Sequence, residues 1–289
     1  MKSSRKIKWQ MGVLGLVIYV IGVSAFAQTS VTRLESVSAD RNTRKIFTHV
    51  GTIDYQYEEP GLMKVSGRLT QIGAGYRHAF LKNTFPFYLE GVTSFAAGNL
   101  TYDGALVDTS NGKKTPITRT SKDQIFNFEG HFGNSFFDSS FQALDVFAGL
   151  GYWDLHDSTE GEGTYDRQIT YYYLPIGTRY NLRIKSSLNL FVGAQYNLFL
   201  TGKVSSKLSQ ASSAFSDVDN TQSKGSGSRL NAGAEWSFLS WSLFAEAYYQ
   251  AWKVDDSDSS TQTVKGKTLS FREPENETKM VGINIGGRF

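Results

Sequence analysis

Between Ser187 and Thr201 every second residue is apolar or aromatic: Leu188, Leu190, Val192, Ala194, Tyr196, Leu198 and Leu200. Asn189, Phe191, Gly193, Gln195, Asn197 and Phe199 lie between them. A helix repeats its face every ~3.6 residues and cannot produce such a run, so the segment reads as a β-strand. Leu144, Val146, Ala148, Leu150 and Tyr152 repeat the pattern, with Asp145, Gly149 and Gly151 interleaved. So do Leu230, Ala232, Ala234, Trp236 and Phe238, set against Arg229, Asn231, Gly233, Glu235 and Ser237. Weaker alternation marks Thr70 to Phe80, Phe87 to Phe95, Phe126 to Phe132, Tyr172 to Tyr180 and Leu243 to Ala251. Ile53, Tyr55 and Tyr57 open the series, and Val281, Ile283 and Ile285 close it. The pattern predicts about ten strands, each near the ~9–11 residues that cross a bilayer at a tilt.

The connections alternate in length. Short ones fall near 81–84, 134–140, 181–187 and 239–241; long polar ones fall near 59–66, 104–122, 156–167, 202–226 and 254–275. Short periplasmic turns alternating with longer external loops are what a transmembrane barrel requires. The interleaved set carries Asp54, Glu58, Arg77, Glu90, Glu129, His131, Asp145, Arg179, Arg229, Glu235, Glu246 and Arg288. In a soluble sandwich such a set would face water, so alternation alone leaves that fold open.

Composition narrows the choice. Residues 1–27 hold Lys2, Arg5, Lys6 and Lys8 and no acids, followed by the apolar run Met11 to Val23. Ala25 and Ala27 supply the small-x-small pattern of signal cleavage, predicting a cut before Gln28 and Sec-type export. Beyond it stand 26 basic and 27 acidic residues, a near-neutral chain that suggests no nucleic-acid partner. The absence of cysteine excludes disulfides and thiolate chemistry. No later stretch is apolar enough for a membrane helix. Residues 28–46 read as a short periplasmic segment and 47–289 as the barrel.

Phe289, preceded at alternate positions by Ile285, Ile283 and Val281, resembles the C-terminal signal by which outer-membrane β-barrel proteins are recognised by the barrel-assembly machinery. The segments Phe147 to Trp153 and Tyr171 to Gly177 resemble strands of porin-like outer-membrane proteins of Gram-negative bacteria. The resemblance covers about residues 47 to 289. It implies an all-β, transmembrane, antiparallel up-and-down barrel in the cell outer membrane, with lipid and lipopolysaccharide as partners. It does not give a function.

Ten strands lie close to the eight or so that side chains fill completely. The inward set, with both signs of charge and bulky groups such as Phe191, Trp153 and Trp252, implies paired charges and a narrow or closed lumen. Tyr152, Trp153, Trp236, Trp241 and Trp252 read as interfacial anchors.

Catalytic candidates are weak. Asp154, His156 and Ser158 share one strand face, similar to the His–Ser arrangement of outer-membrane phospholipase and lipid A deacylase families, but the flanking residues do not match. Omptin proteases are ten-stranded barrels that need acids and an Asp–His pair at the outer rim. Asp103 and Asp108 are placed for this, yet Ala105 interrupts the spacing and Gly202 to Ser226 contains no histidine. Asp255, Asp256 and Asp258 form an acidic cluster without an EF-hand pattern. Lys113, Lys114, Arg119, Lys122, Lys265, Lys267 and Arg272 are cations suited to lipopolysaccharide phosphates or to solubility alone. No residue pattern calls for a cofactor or metal. The expectation is a non-enzymatic barrel with a mostly filled lumen, acting through external loops in surface binding, adhesion or envelope integrity. A small-solute pore is the alternative, and a lipid-modifying hydrolase the third reading.

Overall fold

The computed structural model describes residues 44–80, 87–107, 112–136, 141–264 and 266–289. The leader with Ala25 and Ala27, the segment up to residue 43, Asp108, Lys265, the 81–84 connection and most of 134–140 lie outside the described residues. The elements are β1 (Arg44–Glu59), β2 (Met63–Phe80), β3 (Phe87–Val107), β4 (Lys114–Phe136), β5 (Gln142–Thr159), β6 (Asp166–Lys185) and β7 (Leu188–Ser206). They continue with α1 (Leu208–Ala211), β8 (Val218–Gln222), β9 (Gly225–Ser237), β10 (Ser242–Val254), β11 (Ser260–Val264), β12 (Lys267–Phe271) and β13 (Asn276–Arg288).

Ten strands close a ring in the order β1-β2-β3-β4-β5-β6-β7-β9-β10-β13, every neighbour antiparallel, with β1 and β13 sealing the seam. Closure leaves no unpaired edge, the only way a sheet can satisfy its backbone in lipid. β8 adds to the far end of β7, and β11 and β12 form a separate hairpin. The two-residue Ser186–Ser187 turn and the 238–241 connection mark the periplasmic end.

Outward side chains settle the solvent. Val50, Leu150, Ile283 and Phe132 stand on the outer face at 62%, 68%, 58% and 55% exposure, in a belt that continues round the barrel. No soluble monomer shows an apolar patch of this extent to water. On β7 the belt runs from Leu188 to Leu200. Twelve residue-to-residue steps of ~3.3 Å, tilted by ~40°, span about 30 Å, the thickness of a hydrocarbon core.

Above the belt the polarity of the two faces inverts within single strands. On β1, Ile46 and Val50 face lipid, whereas farther up Asp54, Gln56 and Glu58 point out and Ile53, Tyr55 and Tyr57 point in and are buried. β5 does the same, with Leu150 out below and Trp153 and Leu155 in above. The wall thus changes solvent from lipid to water while the lumen changes from charged to apolar. Three expectations are corrected by this. Ile53, Tyr55 and Tyr57 are core residues and not an outward set; Asp54 and Glu58 face out; and Trp153 and Trp252, each 1% exposed, are core and not interfacial anchors. Tyr152, Trp236 and Trp241 remain on the outer surface.

Strands are also longer than a bilayer needs, from 13 residues in β10 to 23 in β4. Much of the polar sequence between the membrane segments is strand, forming a collar above the membrane.

The collar has a dry aromatic core. Trp153 stacks on Tyr171 at 5.0 Å between ring centres, and Trp252 meets Tyr171 at 5.5 Å and Tyr173 edge-on at 4.9 Å. Leu69, Ile125, Leu155, Ile169, Val204 and Met280 fill the spaces between. The rings fit because inward glycines lie beneath them: a Cβ on Gly227 would strike the Trp252 indole, and one on Gly151 the Tyr173 ring. Each aromatic pair contributes about 0.5–1.5 kcal/mol beyond burial.

Candidate functional site

The lumen is divided into two compartments by this core. On the periplasmic side lies a chamber of about 130 Å³ with charged walls. Arg77 donates to Asp145 at 3.1 Å and lies 3.6 Å from Glu90. His131 bridges Glu129 (2.9 Å) and Glu90 (3.5 Å). Arg229 reaches Glu246 at 3.3 Å, and Arg288 reaches Glu235 at 3.6 Å. Tyr173 Oη and Gln195 Nε2 both donate to Glu129 Oε1, tying the network to the aromatic core above it. Removing one partner of such buried pairs strands a charge at about 3–5 kcal/mol, so the set is held together by mutual need. These are the inward charges that the alternation predicts, brought together by the register.

On the outer side a second network lies above the membrane belt. Arg167, at the start of β6, is buried among three carboxylates. Nη1 donates to Glu59 and, at 2.8 Å, to Glu273, while Nη2 lies 2.9 Å from Asp157. Tyr57 Oη donates to Glu273 Oε1 at 2.9 Å. Glu273 belongs to the 255–275 connection. Its amide donates to Ser257 Oγ, and the Ser257 amide donates to the Glu273 carbonyl, both at 2.9 Å. Glu273 is thus the buried side chain by which the connection reaches into the mouth. Burial outweighs the attraction of Arg167 and raises Glu273 to about 7. Asp123, buried beside the Asp157 charge, is likewise pushed up to about 7. No sequence signal marked Arg167 or Glu273, which sit in polar, loop-like stretches.

The rim connections pack on each other. Asn220 of β8 donates to the carbonyl of Asp258 at 3.0 Å, and the Thr221 amide donates to Asp258 Oδ1 at 2.7 Å. Phe215 meets Phe271 of β12 edge-on at 5.8 Å between ring centres. Gln262 of β11 exchanges two hydrogen bonds with Ser216.

The chemical candidates are dispersed by the same geometry. Asp154, His156 and Ser158 do share the outer face of β5, above the lipid belt, but they do not form a relay. Ser158 donates to Asp166, Asp154 accepts from Gln168 and Thr170, and His156 projects outward. Asp103 accepts from Thr118 at 2.7 Å on the rim. Asp256 pairs with Arg272 at 2.6 Å while Asp258 binds Thr221, so the acidic cluster is parted into loop contacts. Among the described residues no group of three or more acidic, histidine or cysteine side chains is placed to hold a metal ion. Lys122 pairs with Glu160 at 2.7 Å, and Arg119 donates to the Glu160 and Glu162 carbonyls. Val281, Ile283, Ile285 and Phe289 stand exposed on the outer face at the β13 end, where the Phe289 and Ile46 backbones exchange hydrogen bonds at 2.8 and 3.1 Å.

A closed, ten-stranded antiparallel barrel with a lipid belt defines the class: the fold is that of the outer-membrane β-barrels. The solved structures similar to it are of that class. The outer membrane protease OmpT from Escherichia coli superposes with a TM-score of 0.62 at 11% identity, over 90% of this chain and 99% of that one. The toluene transporter TbuX of Ralstonia pickettii gives 0.36 at 7% identity, over 85% and 89% of the two chains. Neisserial surface protein A gives 0.32 at 10%, over 84% and 95%. No family model matches the chain, and no curated protein matches it.

Proposed function

We propose that the protein is a non-enzymatic surface-recognition barrel of the outer membrane, closed to solutes, which presents its outer collar to an external ligand. The observation that carries this reading is the aromatic core of the collar. Trp153, Tyr171, Tyr173 and Trp252 fill the lumen where a pore would need water, and nothing along them is wetted. A channel lumen of this class is polar. The rim connections are ordered by hydrogen bonds and ring contacts, which lowers the entropy lost when a rigid surface binds. The dispersal of Asp154, His156 and Ser158 weighs against lipid hydrolysis, and the absence of histidine between Gly202 and Ser226 weighs against proteolysis of the omptin kind. In this reading residues 1–27 are a leader cut after Ala27, and Val281, Ile283, Ile285 and Phe289 are read by the assembly machinery.

Planar-bilayer recording of the folded protein is the first test. The reading expects no steady single-channel conductance from a preparation whose heat-modifiable gel band shows a folded barrel; reproducible unitary currents overturn it. Cells displaying the barrel are then compared, for adherence and autoaggregation, with cells whose β11–β12 hairpin is replaced by a Gly-Ser linker. Loss of adherence with the barrel intact supports collar recognition, and unchanged adherence refutes a role for that hairpin.

A further inference from the structure

The arginines of the inner chamber carry more donors than its carboxylates take up. Arg77 of β2 and Arg288 of β13 stand on strands separated only by β1, and Arg179 of β6 stands across the ring from them, yet all three line both the 130 Å³ chamber and a smaller 20 Å³ pocket next to it. That pocket also includes Asp145, the ion partner of Arg77, together with Lys45, Ala79 and Asn181 near the periplasmic ends of their strands. In each arginine the Nε is buried and has no acceptor. Arg179 stands apart from the other two. Its guanidinium lies 4.0 Å over the Phe191 ring, and the described residues bring no carboxylate into ion-pair contact with it. A guanidinium resting on an aromatic shelf is positioned by the ring, and its charge is balanced only at longer range, by Glu90, Glu235 and Glu246.

Unsatisfied charge-assisted donors in a low-dielectric wall are expensive, and each is relieved by an anionic acceptor. Three forks converging from different directions do not suit a planar carboxylate, which one fork saturates. They suit a tetrahedral oxyanion, whose oxygens point several ways. A cavity near ~150 Å³ admits a molecule the size of benzene, so the chamber has room for such an ion and for little more. Entry is from the periplasmic side, because the aromatic core closes the other. The closed ring of strands separates the chamber from the membrane, which excludes a headgroup still joined to two acyl chains. We propose that the inner end of the lumen is a periplasm-facing binding site for a small free tetrahedral oxyanion of the phosphate type, centred on Arg179 with Arg77 and Arg288.

The test is calorimetric titration of the full chain, purified in an uncharged detergent, with inorganic phosphate at fixed ionic strength in chloride. One saturable site is expected, weakened about tenfold or more by Arg179→Gln and partly kept by Arg179→Lys. The heat-modifiable band confirms that each variant is folded. Arg179→Gln breaks no ion-pair contact among the described residues, and removes only the longer-range attraction of Glu90, Glu235 and Glu246. Should that variant nevertheless fail to fold, Phe191→Leu, which lowers the shelf and leaves the charges, is expected to weaken phosphate binding. Absence of saturable binding to the unaltered protein overturns the proposal, as does binding that Arg179→Gln leaves unchanged.

Discussion

Glu273 is the side chain whose replacement tests the outer network most directly. Its ordinary value of 4.5 is raised to about 7, chiefly by burial. At about 1.4 kcal/mol per pH unit, that gap corresponds to at most about 3 kcal/mol. The sign follows from which state holds the proton more tightly. The closed mouth does, so its stability is complete below about pH 4.5 and is lost as pH rises through about 7. Glu273→Gln keeps the shape and the oxygen that accepts from Tyr57 and Arg167, and removes the ionisation. The variant should match the unaltered protein near pH 5 and hold the 255–275 connection more firmly at pH 8, by up to about a hundredfold in opening equilibrium. The assay is amide hydrogen exchange at Ser257 and Glu273, whose amides are both hydrogen-bonded within the connection. Comparing the two proteins at each pH cancels the intrinsic pH dependence of exchange. A variant that exchanges faster than the parent at pH 8, or one whose difference from the parent is the same at both pH values, would refute the burial argument.

Three other outcomes follow from the geometry. Arg167→Met leaves Glu59, Asp157 and Glu273 facing each other, at a local cost of about 3–5 kcal/mol, and should loosen the connection enough for trypsin to cut after the exposed Lys267 and Arg272 at pH 8; continued resistance would contradict it. Trp252→Ala should cost about 3–5 kcal/mol of barrel stability, seen as a lowered heat-modification temperature, because the indole is fully buried against Tyr171 and Tyr173. Leu150→Arg and His156→Arg change the same face of β5; the first, in the lipid belt, should cost about 2–4 kcal/mol in a vesicle unfolding titration, and the second about 0–1. Equal costs would mean that the belt is misplaced.

The alternation of β7, β5 and β9 was enough to read strands, because lipid imposes one rule on every second residue for the whole crossing; reading a membrane barrel also took the connection lengths, the leader-like start and the pattern ending at Phe289. That rule stops at the membrane surface. In β4, Lys114 to Thr120 carries little hydrophobic contrast, and Thr on both faces made strand look like loop. Ile53, Tyr55 and Tyr57 alternate as well as any lipid-facing set, but the period says nothing about which face is which, and here the apolar face is the inner one. β8, β11 and β12 are five-residue strands of Ser, Thr, Asn, Gln and Asp with Lys, Val, Leu and Phe, too short and mixed to register. The charges of the inner chamber were visible one by one; that Arg77, Arg179 and Arg288 meet across the lumen depends on a ring register no local pattern encodes.

The inversion of polarity halfway up the wall means that the molecule is two barrels sharing ten strands, one soluble in lipid and the other in water. Each half keeps its own interior, salt-bridged below and oily above. Selection can then remodel the outer half with the tolerance of any soluble protein surface, changing charges and contours on the cell exterior while the membrane anchor stays as it is. It also gives the strands a fixed depth. Sliding outward would carry Val50 and Leu150 into water, and sliding inward would carry Asp54 and Glu58 into hydrocarbon. The outer collar is thereby held at a set height above the bilayer, as if on a graduated post.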